Sequence, residues 1–421
     1  MGVLGTRWNR GATGGRWRRA LLPVAATVAL SGCWLQPGFD PHRSGHNDLE
    51  AGLTEANVAT LTQAWSATVG TGPVDAPVVS RFGVHATSDP FLASYRLSDG
   101  AENWRVDVSP EGLPGGPPGY LDAPRVRGDE LRVPISVPFR SASHTSTFDA
   151  RTGASIAGVT PYGLVTVDGD TLIGTERRIL GTGFIVDFLH STDLADPSQS
   201  WEVVYDGGNH ESAVSDQWIV SVDDGAVVSA FPRSGPSPEL CVPEIGYIFC
   251  EPAWERTLGG STTAPVVADD GQTVFVGDSA GTIWALDIAD GTVRWSARLG
   301  SGVLATPTVG DGTLFVSTAD GRLSAFEADG CGAATCPPSW TTAATGAAVR
   351  QQAALAGGVV YVASEDGSIR AFDASGCGTA VCEPVWETST GSAITGAPAV
   401  ARGRLFVGTA DGRMIAFEPA G

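Results

Sequence analysis

Along the C-terminal half of the chain, short alternating apolar runs return at a nearly fixed spacing. In residues 271–295, GQTVFVGDSAGTIWALDIADGTVRW, the run Val274, Phe275 and Val276 leads into a turn at Asp278, Ser279, Ala280 and Gly281. Ile283, Trp284, Ala285 and Leu286 lead out. Runs this short, rich in β-branched and aromatic residues and joined by a tight polar turn, predict a β-hairpin rather than a helix. Three further copies begin at Gly312, Gly358 and Gly403, spaced by 41, 46 and 45 residues, with Asp-Gly at the turn as Asp320-Gly321, Asp366-Gly367 and Asp411-Gly412. A second turn follows at Asp290-Gly291, Trp295 stands beyond it, and the apolar run Ala264, Pro265, Val266 and Val267 lies upstream. Each repeat therefore supplies four short strands, and four strands in about 45 residues predict one propeller blade.

The tryptophan that ends a blade is followed along the chain through Trp65, Trp104, Trp201, Trp254, Trp295, Trp340 and Trp386. Recurring once per blade at one offset, these residues are expected to pack blade against blade. The gap between Trp104 and Trp201 is too long for one unit. A boundary without its Trp is expected near Ala157, because Phe148, Asp149, Ala150, Arg151, Thr152 and Gly153 repeat the ending of the regular blades. A small residue followed by Pro opens several first strands, at Ala76-Pro77, Ala123-Pro124, Ala264-Pro265, Thr306-Pro307 and Ala397-Pro398, where proline removes no ladder donor. The unit after Trp386 lacks a closing strand, whereas the segment from Leu61 to Ser66, around Trp65, has that pattern with no blade before it. The expectation is an all-β, eight-bladed propeller of four-stranded blades over residues 58–421, with seven blades as the alternative count. The N-terminal strand closes the ring and removes the exposed edges of an open sheet.

The repeat resembles the pyrroloquinoline quinone (PQQ)-like β-propeller family, whose units read roughly G-x-[VL]-[YF]-V-G-x-x-D-G-x-[LV]-x-A-[LF]-D-A-x-x-G-x-x-x-W. The match is strong over 254–421, legible over 64–104 and poor over 110–250. Residues 39–47 (FDPHRSGHN) and 53–58 (LTEANV) are similar to the lead-in that precedes such propellers. The resemblance also implies what a quinone-dependent dehydrogenase of this fold would carry: adjacent cysteines over the quinone, a Trp floor, a calcium set of Glu, Asn and Asp, and an Asp base. This chain has no adjacent cysteines, no C-x-x-C-H motif and no lysine. Shared fold does not bring shared chemistry, so the chain is read as non-catalytic, with no cofactor, and similar to the propeller lipoprotein of the outer-membrane β-barrel assembly machinery. A quinone- and calcium-dependent dehydrogenase and a ligand- or carbohydrate-binding sensor propeller are the rival readings.

The first 32 residues change the expected address. Arg7, Arg10, Arg16, Arg18 and Arg19 precede an apolar run from Ala20 to Leu30, and then come Ser31, Gly32 and Cys33. A basic region, a short apolar region and small residues at a cleavage position form a secretory signal rather than a spanning helix. The tetrapeptide Leu-Ser-Gly-Cys resembles a bacterial lipobox, implying cleavage before Cys33 and a lipid on its sulfur and new amino terminus. The segments are then a signal at 1–32, a lipidated lead-in at 33–57 and the propeller, held at the extracytoplasmic face of the cell membrane by a stable multi-chain anchor. The Arg18-Arg19 pair leaves twin-arginine and general export both open.

Six of the seven cysteines fall in close pairs: Cys241 with Cys250, Cys331 with Cys336, and Cys377 with Cys382. Each pair precedes a blade-ending Trp, and in an exported chain local disulfides are expected. The formal charge of −20 becomes −25 once the five signal-segment arginines are removed, a segment that holds no acids. Such a surface repels nucleic acid; the expected partners are envelope proteins or polymers, met by a monomer. Lysine-based covalent chemistry has no residue to use.

Candidate catalytic and metal residues are thin. His42 and His46 have a ligand spacing only if helical, and Arg43, Ser44 and Gly45 between them predict a loop. His85, His144, His190 and His210 are scattered through the irregular half, and no G-x-S-x-G elbow supports a Ser/His/Asp triad. The Asp-Gly pairs read as hairpin turns rather than calcium loops. Binding residues are expected on the insertions at 109–118 and 231–250, since loops on a rigid scaffold carry recognition; repeat drift is the equal alternative.

Overall fold

A computed structural model describes residues 32–108, 120–136, 144–160, 162–179, 185–205, 212–223, 226–244 and 247–420. The described chain folds into eight sheets, each one blade of a propeller. The first strand of blade 1 is Val78–Val79, of blade 2 Arg125–Arg127, of blade 3 Gly163–Asp168 and of blade 4 Ser212–Val214. Blades 5 to 8 begin at Val266–Val267, Thr308–Gly310, Ala354–Ala356 and Ala399–Ala401. The fourth strand of blade 2 is Ser155–Thr160, where the Trp-less boundary is expected. Blade 8 is completed by Leu61–Thr68, which pairs antiparallel with Arg413–Pro419 from Leu61↔Pro419 to Thr68↔Arg413. The ring is therefore closed by hydrogen bonds between the N-terminal and C-terminal parts of the chain.

Middle strands are buried on both faces because each blade is sandwiched between two others. All five residues of Thr273–Gly277 are buried, whereas the outer strand Val293–Arg298 alternates in exposure. The rings of one blade's Phe, its Trp and the next blade's Phe follow in a row. Phe275 and Trp295 lie 6.0 Å apart, and Trp295 and Phe326 of the next blade 5.8 Å.

Fourth-strand Trp residues also dock on the following blade, on the turn after its third strand or, in blade 8, at the start of the closing strand. Trp254 Nε1 donates to the Ile288 carbonyl at 2.8 Å, Trp295 to Ala328 at 3.1 Å, and Trp386 to Leu61 at 2.9 Å. The same bond runs from Trp65 to Leu97, Trp104 to Ala150 and Trp201 to Arg233. Under the ring sits a glycine, for example Gly291 under Trp254, where a Cβ would lie 2.5 Å from the indole and where φ is +70°. Trp340 lies over Gly376 in the same way. The Gly that ends the repeat is required both for its left-handed backbone and for the close approach of the indole.

The lead-in runs around the axis and bonds to the first strand of every blade in order. Trp34 exchanges backbone hydrogen bonds with Val79, and the carbonyl of Leu35 accepts from Val126. Gln36 holds Val167 through its side-chain amide, Nε2 donating at 3.1 Å and Oε1 accepting at 2.9 Å. The carbonyls of Pro41, His42, Ser44 and Gly45 then accept from Val214, Val267, Val309 and Leu355. Asn47 finishes the circuit, its Nδ2 donating to Val400 of blade 8 at 2.8 Å. The eight partners occupy equivalent positions, seven of them valine.

Several sheets carry more than the four strands expected, and the extra strands come from the cysteine-bearing connections, the lead-in and, in blade 2, the pair Tyr120–Leu121 that adds to Glu130–Ser136. The 231–250 insertion folds into a hairpin, Cys241–Glu244 with Tyr247–Cys250, that joins the outer strand of the preceding blade 3, Val204 opposite Phe249. Val381–Cys382 of blade 7 likewise pairs with Trp340–Thr342 of blade 6. Thr335 of blade 6 bridges Ser296 of blade 5. Disulfides join Cys241 to Cys250, Cys331 to Cys336 and Cys377 to Cys382, so each cross-linked loop covers the edge of the blade behind it.

Candidate functional site

The connections that enter the first strands surround a polar funnel on the propeller axis, a cavity of about 370 Å³. The small-residue-then-Pro starts place Ala76, Ala123, Ala264, Thr306 and Ala397 on its wall, and Pro37, Gly38 and Arg43 of the lead-in line it too. Gln352 ties wall to lead-in, its Nε2 lying 2.7 Å from the Arg43 carbonyl and 2.8 Å from that of Pro307.

The charged groups of the funnel are largely committed to one another. Asp75 is pushed up to about 7 by burial, with repulsion from Asp122 adding to it. The Thr87 hydroxyl lies 3.1 Å from Asp75 Oδ2. Arg125, 2% exposed, holds Asp122 Oδ2 at 3.1 Å and donates to the Ala123 carbonyl. Arg350 pairs with Glu365 at 2.6 Å. A carboxyl titrating near neutrality in a cleft has the properties of a functional group; its side-chain partner, the Thr87 hydroxyl, also lies 3.2 Å from the Asp122 carbonyl. Among the described residues, no three His, Cys, Asp or Glu converge as a metal site.

The histidines are dispersed. His42 supplies its carbonyl to Val267, while His46 packs on Gly310 with Nε2 3.5 Å from Asp311. His85 is fully buried in blade 1, pushed down to about 3 by burial, and 2.7 Å from Ser80 Oγ. His190 stacks on Tyr162 at 4.5 Å between Glu176 and Glu202, both at 3.3 Å. His144 opens the third strand of blade 2. His210, the 109–118 insertion and residues 1–31 lie outside the described residues. The Asp-Gly pairs form the turns between second and third strands, with φ of +81°, +84° and +83° at Gly321, Gly367 and Gly412.

Two surface features had little sequence signal. The hairpin beside blade 3 presents an outer strand, Cys241–Glu244, with no neighbour on its far side among the described residues, and Val242 on it is 60% exposed. On the face opposite the funnel, where first and second strands turn, the lead-in and blades 2 and 3 enclose an apolar cavity that Cys33 lines. The spacing of the cysteines announced the disulfides, and the insertion at 231–250 was expected to carry binding residues; its pairing at the edge of blade 3 and the apolar cavity had no signal in the repeat.

A family model described as outer membrane protein assembly factor BamB matches residues 251–376 and 333–420. In sequence the chain is similar to outer membrane protein assembly factor BamB of Moranella endobia, 36% identical over 78 residues, 17% of this chain and 20% of that protein. The match thus spans about a fifth of that relative's length. In structure it is similar to BamB from Moraxella catarrhalis, with a TM-score of 0.54 and 18% identity, over 85% of this chain and 99% of that one. It is also similar to quinohemoprotein alcohol dehydrogenase from Comamonas testosteroni, with a TM-score of 0.64 and 13% identity, over 94% and 82%. At these identities the structural likenesses show the fold alone.

Proposed function

We propose that this chain, a PQQ-like propeller similar to the assembly factor BamB, is a non-catalytic scaffold of the cell envelope that holds other envelope proteins. It is exported by the segment at 1–32 and anchored by lipid on Cys33 at the extracytoplasmic face. The observation that carries the reading is that the assembly-factor match falls on 251–420, the residues that build blades 5 to 8. The rigid ring supports it: every blade is tied to the lead-in and most to the next blade by a Trp. That construction suits a platform with fixed surface loops rather than a moving catalytic site.

The open strand Cys241–Glu244 is the contact we assign, since an unpaired edge with an exposed apolar residue accepts an added strand from a partner. Photo-cross-linking from position 242 in intact cells, followed by purification and peptide identification, tests this. A reproducible envelope protein joined there is the expected result, with capture reduced at least several-fold by Val242→Asp. Recovery of the chain alone, at normal abundance, overturns the scaffold reading.

The likeness in fold to the alcohol dehydrogenase keeps one rival open to a direct test. Titrating the purified protein with PQQ and calcium should leave the quinone absorbance unchanged; saturable binding with alcohol oxidation would establish an enzyme instead.

A further inference from the structure

The apolar cavity on the lead-in face has a volume of about 430 Å³, toward the lower end of the roughly 300–1,000 Å³ usual for small-molecule sites. Cys33, Leu35, Phe39, Leu49, Val126 and Val167 are among its walls. The polar residues that also border it are engaged elsewhere. Gln36 is bonded in both directions to the Val167 backbone, Arg127 to the Gly169 carbonyl and Asp170, and Asp168 to Arg233 at 2.5 Å. Asp40 accepts from the Ser44 hydroxyl at 2.6 Å, and burial holds its carboxyl above the usual range. What faces the space is therefore mostly hydrocarbon. Leu49 stands among these walls 55% exposed, a large aliphatic side chain that the described residues leave half uncovered.

An apolar space of this kind attracts an apolar occupant, and the residue that lines it, Cys33, is the one the signal sequence marks for lipid. We propose that the cavity seats an acyl chain carried by Cys33, so that part of the anchor lies against the lead-in and blades 2 and 3 rather than wholly in the membrane. The inference rests on the reading of Cys33 as the lipidated residue. It fixes which face of the propeller is turned to the bilayer: the lead-in face, with the funnel opening away from it. It also gives the anchored protein a way to cover one chain when it is lifted out of a membrane.

The test uses the full chain made in cells that process lipoproteins and fed a palmitic acid bearing a diazirine. Intact mass first establishes whether Cys33 carries lipid; a mature chain without it removes the anchor reading and this inference with it. Given lipidated protein, irradiation should join the fatty chain to peptides containing Leu35, Leu49, Val126 or Val167. The variant Leu49→Asp, at an exposed position, should lower that yield at least threefold with an unchanged melting curve. Lipidated protein cross-linked only to phospholipid overturns the proposal. So does equal labelling of the same peptides in a Cys33→Ser protein, which would identify free fatty acid as the occupant.

Discussion

Blades 5 to 8 and blades 2 to 4 reach the same architecture with different amounts of repetition. In the regular half the hairpin turn, the ring-bearing Phe, the terminal Trp and its glycine recur in register. In the irregular half blade 2 has no terminal Trp, and Trp201 of blade 3 is only partly buried. Its glycine, Gly235, would place a Cβ 3.2 Å from the indole, against 2.5 Å for Gly330 under Trp295 of blade 5. One thing does not differ. Val126, Val167 and Val214 bond to the lead-in as Val267 and Val309 do. The inner strands keep the ring's geometry, and the outer parts are free to diverge once those inner contacts are held.

The sharpest way to break this comparison is to remove a Trp from each half. Trp295→Ala, at a residue 2% exposed, should cost about 3–5 kcal/mol, and Trp201→Ala roughly half as much, read as shifts in the urea midpoint. Equal losses would mean that the irregular blades dock as tightly as the regular ones. Next in size is loss of a disulfide. Replacing Cys241 and Cys250 by Ser, or Cys331 and Cys336, should each cost about 2–3 kcal/mol by loop entropy. Only the first pair should also expose the outer strand of blade 3 to amide exchange at Trp201–Tyr205.

Removing one lead-in side chain from each half should cost less. Asn47→Ala leaves the Val400 carbonyl without its side-chain donor, at about 1–3 kcal/mol, and Gln36→Ala, which removes the partners of both the amide and the carbonyl of Val167, should cost at least as much. A much smaller effect for Gln36 would show that the inner ring has drifted too. The smallest effect concerns the funnel. Asp75 has a folded value of about 7 against an ordinary 3.8, so the folded form holds its proton more tightly. The contribution of Asp75 to stability is then fully present below about pH 4 and is lost as pH rises to about 7. Asp75→Asn should therefore melt about 2 °C or more above the parent at pH 8 and with it at pH 4, measured by calorimetry. His85, with a folded value near 3, acts in the opposite sense: its contribution is lost as pH falls below about 6.5 toward 3, a loss Asp75→Asn leaves in place.

The propeller was legible because a buried middle strand between two turns needs the same few residues every time. The closing strand around Trp65 could be found for the same reason, as could the fourth strand of blade 2 from Phe148 to Gly153. The circuit of the lead-in could not, because backbone carbonyls such as those of Pro41 and Ser44 bond without regard to side chain; the repeated valine at its partners reads only as a core position. The pairing of the cysteine loops with the blade behind them was hidden likewise. Spacing fixes which sulfurs can meet and says nothing about which sheet edge the loop reaches. The funnel wall was half visible, as the small-residue-then-Pro starts, without the charges between them.

Closure by Leu61–Thr68 has a consequence for timing. That strand is made early and its partner, Arg413–Pro419, after every other described strand, so the ring shuts only once all eight blades have been made. Contacts so distant in sequence form slowly. Until then the lead-in has no complete circuit of first strands to bind, and blade 8 keeps a bare edge. A newly made molecule therefore passes through an open stage, exposed to proteases and to pairing with its own neighbours, that ends when the strand Arg413–Pro419 arrives.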